Sequence, residues 1–148
     1  MQEEAKINSF KLEIVSVEES LFSGSARFVV VPGIDGELGI FPNHTPLLTK
    51  IKPGTLKFME IDASQETFFF VAGGFLEVQP AIVTVLADIV VRGDAIDQER
   101  AEESMNNAKK SIAKAPGDKI ALATAQAELA YAMAELRTLE KYKAGGRT

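Results

Sequence analysis

The chain has no cysteine, a single histidine and no long apolar run, and each absence removes a class of function. Without cysteine there is no disulfide, no thiolate nucleophile and no zinc–thiolate centre. Nothing argues for an oxidising compartment, so the expected location is cytoplasmic. No stretch reaches the ~18–20 consecutive apolar residues of a membrane-spanning helix, so the chain is not expected to cross a bilayer by itself. The start, Met1-Gln2-Glu3-Glu4-Ala5-Lys6, lacks the basic and apolar regions of a secretory leader. It is also acidic where a transit peptide is Arg-rich.

Clustered positive charge is missing as well. The formal charge is −5, and all of it comes from residues 1–93, which hold 7 Lys/Arg against 12 Asp/Glu. An acidic surface argues against nucleic acid as a partner, because phosphate contacts need grouped cations. Residues 94–148 carry 9 charges of each sign and read as a solvated, pair-forming helical segment. At 148 residues the chain can bury about two-thirds of its unfolded surface, enough for a core without metal or disulfide.

The two parts have different hydrophobic periods. Phe10, Leu12 and Ile14 alternate with Lys11 and Glu13, the two-residue period of a half-buried strand. Phe28–Val31, Leu47–Ile51, Thr55–Ile61, Thr67–Val71, Phe75–Val78 and Ile82–Ala87 are further strand candidates. Between them stand Pro32, Pro42, Pro46, Pro53 and Pro80, Gly24, Gly54, Gly73 and Gly74, and a turn-rich stretch from Pro32 to Gly39. Short strands at close spacing predict an all-β flattened sandwich or barrel over residues 1–92. No helix-length segment separates the strands, which excludes a doubly wound α/β fold. Phe68-Phe69-Phe70-Val71 has no polar alternate. It is either covered on both sides by a sheet and by C-terminal helices, or buried by another subunit.

After Gly93 the period becomes helical. Ala101, Met105, Ala108, Ile112 and Ala115 form one stripe, with Asp94 as the expected N-cap and Asp97 favouring the positive helix end. Pro116-Gly117-Asp118 stops that helix, and Asp118 caps a second. The second carries Leu122, Ala125, Leu129, Ala132, Leu136 and Leu139 and is expected to fray at Gly145-Gly146. Residues 93–148 are thus an antiparallel α-helical hairpin. Its stripe is rich in alanine, which buries little area. Either the small residues permit close approach in a rigid hairpin, or the hairpin is thinly held and able to change partners; composition leaves both open.

Motifs for chemistry are absent. His44, in Phe41-Pro42-Asn43-His44-Thr45-Pro46, has no cysteine or Gly-x-Ser-x-Gly serine to serve, and is read as structural or interfacial. The carboxylates show no acid/base or metal-ligand spacing. Gly33-Ile34-Asp35-Gly36-Glu37-Leu38-Gly39 lacks both the Gly-Lys-Ser/Thr ending of a phosphate loop and the strand-to-helix setting of a dinucleotide site. No catalytic residue and no metal site is expected.

Two long blocks carry a family resemblance. Gly36-Glu37-Leu38-Gly39-Ile40-Phe41-Pro42-Asn43-His44-Thr45-Pro46-Leu47-Leu48-Thr49, followed by Ile51-Lys52-Pro53-Gly54, closely resembles the signature loop of the epsilon subunits of F-type ATP synthases. Gly73-Gly74-Phe75-Leu76-Glu77-Val78-Gln79-Pro80, leading through Val83–Asp88, resembles the family's second diagnostic stretch. Segment Val15–Gly24, with Phe22-Ser23-Gly24, also fits.

The resemblance implies a sandwich of about ten strands plus a two-helix arm. It implies a non-catalytic rotor subunit, peripheral on the cytoplasmic face of a bacterial inner membrane and attached to it only through the complex. Expected partners are the gamma subunit, the c-ring and, with the arm extended, the alpha/beta hexamer, whose ATP hydrolysis the arm blocks. Glu37 and Leu38 match subunit-interface positions, Glu37 toward the c-ring, and His44 lies toward gamma. Arg137, Lys141 and Lys143 are expected to meet acidic partner residues from the extended arm. Some members bind regulatory ATP through a motif that reads here Ile96-Asp97-Gln98-Glu99-Arg100-Ala101. Strong binders add basic residues midway along the second helix, where this chain has Thr124, Tyr131 and Glu135, so binding is expected to be weak or absent. A stand-alone protein-binding sandwich and a dedicated ATP sensor are the alternatives.

Overall fold

Alternation decides the first strand. In the computed structural model, which describes residues 8–145, Phe10, Leu12 and Ile14 of β1 (Phe10–Ser16) point inward and are buried. Eight more strands follow: β2 (Ser20–Gly33), β3 (Gly36–Ile40), β4 (Leu47–Lys50), β5 (Gly54–Glu60), β6 (Thr67–Ala72), β7 (Phe75–Val78), β8 (Ile82–Ala87) and β9 (Ile89–Arg92). Met1–Lys6 and Gly146, on which two of the sequence expectations fall, lie outside the described residues.

The strands pair in the order β4-β7-β8-β1-β2-β5-β6-β9, with β3 on β2. All pairs are antiparallel except β1 with β8. β2 serves both halves of the sheet: its first half pairs with β1 and its second with β3 and β5. The sheet folds over on itself, so inward residues of β1, β7 and β8 meet those of β5 and β6 in one cluster that includes Leu12, Ile14, Phe58, Phe69, Leu76 and Val85. Between β6 and β7 the chain crosses from one half to the other at Gly73-Gly74, with φ of 71° and 99°. A side chain on Gly74 would collide with the Leu86 carbonyl oxygen, so only glycine fits that corner.

Four details depart from the sequence expectations. The strand begun at Phe28 starts eight residues earlier, at Ser20. In its first half Ser20, Ser23, Gly24 and Ser25 break the apolar alternation around Leu21 and Phe22, and pairing with β1 fixes it as strand. The turn-rich Pro32–Gly39 stretch contains the end of β2 and most of β3, with Pro32 opposite Glu37 beyond the last β5 pair, where it owes no second ladder bond. β9 is an additional strand, separated from β8 by Asp88 alone. Finally, Asp94 does not cap a helix. It lies in a single 3₁₀ turn (Gly93–Ala95) with its carboxylate 3.4 Å from Arg92 Nε.

The first helix, α1 (Gln98–Ala113), is capped by Asp97, whose carboxylate accepts from the Arg100 amide at 3.1 Å. The second, α2 (Lys119–Ala144), is capped by Asp118, which accepts from the Ala121 amide at 3.0 Å. The helices pack antiparallel through Ala101, Ala108, Ala125 and Ala132, all buried. α2 also lies on β5 and β6, making a second cluster of Phe70, Ala72, Ile96, Ala134 and Leu139 flanked by Val91, Tyr131 and Tyr142. β6 is therefore covered on both sides within the chain, Phe69 and Val71 facing the central cluster and Phe70 and Ala72 facing α2.

Candidate functional site

Outer-face residues of β4, β7, β8 and β1 follow from the pairing register: Lys50, Phe75, Leu86 and Val15 form one row, and Leu48, Glu77, Thr84 and Glu13 the next. No helix covers this face. Leu48 (67% exposed), Phe75 (46%), Ile82 (44%) and Leu86 (47%) stand in solvent beside the Lys11–Glu13 ion pair. Several apolar side chains grouped on one bare sheet face are a docking feature rather than scattered surface residues.

The loop after β3 continues this apolar character. Phe41 is 60% exposed, its ring centroid 6.0 Å from that of Phe28. Asn43 adopts φ of 64°, a left-handed conformation that asparagine tolerates, and its amide donates to the Pro80 carbonyl at 3.2 Å. That bond ties the loop to the β7–β8 turn. His44 Nδ1–H donates to the Thr45 carbonyl oxygen at 2.7 Å. A carbonyl only accepts, so Nδ1 carries a proton and Nε2 is the ring nitrogen free of this contact. Glu37 is exposed on β3, opposite Pro32, while Leu38 is half-buried against the central cluster.

Glu37 also borders two adjoining clefts, about 330 and 190 Å³, between β5 and the flank of α2. Lys141 lines both, Lys57 the first, and Lys52 and Arg137 the second. The structure thus brings Glu37, Arg137 and Lys141, far apart in sequence, to one seam. Lys143 lies elsewhere, its ammonium donating to Gln98 Oε1 at 2.9 Å across the hairpin.

The Ile96–Ala101 motif sits at the root of the hairpin. Ile96 is buried in the α2 cluster and Ala101 in the helix–helix seam. Asp97 spends its carboxylate on the end of α1, filling with an internal anion the place that a bound phosphate would take. From α2, Tyr131 and Glu135 act on the same group. Burial raises the Glu135 carboxyl pKa, Arg100 opposes that rise and Asp97 adds to it. Burial likewise raises the Tyr131 hydroxyl, with Glu135 adding and Arg100 opposing. A groove of about 500 Å³ beside them is lined by Ser104, Asn107, Ala127, Glu128 and Tyr131. The carboxylates of Asp97 and Glu135 thus act beside Arg100, and that of Glu128 lines the groove, an acidic setting for any anion.

Among the described residues no group of His, Asp or Glu has metal-site geometry, and no helix is long and apolar enough to cross a membrane. Sequence reasoning missed the bare Leu48–Phe75–Leu86 face and the buried pair Thr55 and Thr138. The first was legible as outward-phase apolar residues in β4, β7 and β8. The second carried no local signal, since Thr138 is one of two threonines in an alanine- and leucine-rich helix and only the fold sets it against Thr55.

Family models match nearly the whole chain. The ATP synthase delta/epsilon chain beta-sandwich domain matches residues 9–93, and the long alpha-helix domain of the same chain matches residues 94–140. The chain is 50% identical over 137 residues to the ATP synthase epsilon chain of Delftia acidovorans, covering 93% of this chain and 98% of that one. The chain of that name from Polaromonas naphthalenivorans is 47% identical over the same coverage. In fold, the chain is similar to one in the Euglena gracilis mitochondrial ATP synthase, with a TM-score of 0.72 at 16% identity over 95% of this chain and 82% of that one. A chain of the central stalk/c-ring structure of the Tetrahymena thermophila mitochondrial ATP synthase gives 0.63 at 11% identity over 88% and 96%.

Proposed function

The chain belongs to the delta/epsilon chain family of ATP synthases, as an epsilon chain, and from that premise we propose that it is a non-catalytic central-stalk subunit with a movable inhibitory arm. The observation that carries this reading is the contrast between the two outer faces of the sandwich. The chain's own α2 covers the β5–β6 face, and the β4-β7-β8-β1 face keeps Leu48, Phe75 and Leu86 exposed for another subunit. The gamma subunit is the proposed occupant, with His44 beside it, and Glu37 and Leu38 are directed to the c-ring.

Attachment comes from the apolar face, because exposed ion pairs contribute only ~0–1 kcal/mol each. Phe75→Asp with Leu86→Asp is expected to abolish co-purification with gamma while leaving the isolated chain folded; unchanged co-purification refutes the docking face. This attachment holds the chain peripherally at the cytoplasmic face of the inner membrane. Cell fractionation tests that location: the chain should sediment with membranes only while gamma is present.

The arm's proposed action is to extend into the alpha/beta hexamer and stop ATP hydrolysis, with Arg137, Lys141 and Lys143 meeting acidic residues there. Deleting residues 94–148 is expected to raise hydrolysis by the assembled complex; no change reduces the arm to a structural accessory. Reversing charge at Lys141 and Lys143 tests the cationic contacts and should weaken inhibition. Regulatory ATP is not part of the proposal, since Asp97 and Glu135 face Arg100 and Glu128 lines the adjoining groove. Calorimetry on the isolated chain should find no micromolar affinity for ATP.

A further inference from the structure

Thr55 and Thr138 are the buried polar side chains among the described residues, and they meet each other where α2 crosses the sheet. Their hydroxyl oxygens are 2.7 Å apart. Thr138 Oγ1 also lies 2.9 Å from the carbonyl oxygen of Ala134, one turn back. A carbonyl only accepts, and a hydroxyl has one proton to give. The Thr138 proton therefore goes to Ala134, and Thr55 donates to Thr138. This fixes a directed relay, Thr55 to Thr138 to the Ala134 carbonyl, running from the sandwich into the arm.

We propose that this relay is the register pin of the docked arm: it selects one seating of α2 and keeps that seating reversible. The inference rests on the reading of the hairpin as a movable arm. The seam sets Ala72 and Ala134 among Phe70, Ile96 and Leu139; apolar burial is non-directional, whereas the hydroxyl pair is satisfied in one register alone. Sliding α2 by a turn places Ala134 or Tyr142 over Thr55. Ala134 offers no side-chain acceptor and Tyr142 is far larger than threonine. Either leaves the Thr55 hydroxyl buried without its partner, which lowers the population of such seatings by roughly tenfold or more. On release, both hydroxyls exchange each other for water, so the pair opposes undocking less than two buried valines would.

The direction of the relay makes the test asymmetric. Thr138→Val strands the Thr55 donor and should lower the docked-to-undocked ratio about tenfold. Thr55→Val leaves the Thr138 proton on Ala134 and removes one accepted bond, so the ratio should fall only about threefold. The double variant Thr55→Val with Thr138→Val should restore the wild-type ratio or exceed it, and Thr138→Ser should preserve it. Because the chain has no cysteine, spin labels at Ser64→Cys and Lys110→Cys report the docked fraction by their separation. Amide protection in β1 and β8 reports that the sandwich is intact.

Equal losses from the two single variants, or a double variant that loses the sum of both, overturn the relay. Hydrolysis by the assembled complex separates this from the functional reading. If the variants change docking as stated and hydrolysis does not follow, the pin stands and the inhibitory arm falls.

Discussion

The central cluster and the arm cluster solve the same burial problem with different materials. The central one is filled by Phe, Leu, Ile and Val from seven strands, with Phe58 set between Phe22 at 4.5 Å and Phe69 at 5.6 Å. The arm cluster has Phe70, Ile96 and Leu139 as its large buried members and fills the rest with alanine. Large interlocking side chains lose several kcal/mol when one is removed, whereas small ones have little to lose. Removing one large side chain is accordingly expected to cost more in the sandwich than in the arm cluster, where few large residues carry the contact.

That contrast can be broken most forcefully from the central side. Phe58→Ala should cost about 3–5 kcal/mol and melt sandwich and arm together, seen as one lowered thermal transition. Leu139→Ala removes a large member of the thin cluster; about 2 kcal/mol should be lost from arm attachment, with the sandwich transition unmoved. Asp118→Ala deletes the cap of α2 and should cost about 1 kcal/mol, read as a lower helical content at the hairpin turn by amide exchange.

The smallest effect sharpens the comparison through pH. In the docked chain the Glu135 pKa stands above the ordinary 4.5, chiefly through burial, with Arg100 opposing the rise and Asp97 adding to it. Its contribution to docking is therefore fully present below that ordinary value and is lost as pH rises through the raised docked one. Acidification should tighten the arm across that window. Glu135→Gln should flatten the dependence and dock at neutral pH as the wild type does in acid, measured with the same pair of spin labels. Central residues such as Leu12 and Ile14 carry no titrating group, and the sandwich itself should show no response from this source.

The same difference governs what the sequence could disclose. Alternation in β1 and the unbroken apolar run of β6 were legible because large side chains mark the strands they occupy. β2 from Ser20 to Arg27 was not, since its serines and glycine become strand only by pairing with β1. Asp97 rather than Asp94 caps α1 because Gly93–Ala95 packs its own turn first. At the hairpin root, the Ile96–Ala101 motif was readable in one dimension, but its meaning depends on Glu135, brought opposite by the antiparallel return of α2. Glu37 and Lys141 likewise share a seam that no local pattern announces.

The parallel pairing of β1 with β8 has a consequence for synthesis. Lys11 finds its partner only when Ile82 exists, and Ser16 only when Ala87 does. A nascent chain can form the β1–β2 and β5–β6 hairpins early, yet β1 keeps one bare edge until nearly the whole sandwich has been translated. Such long-range closure is slow compared with hairpin formation. The helices, made last, arrive after the strands of the body they rest on. Birth order thus follows the packing: first the sandwich, then the helices laid against it.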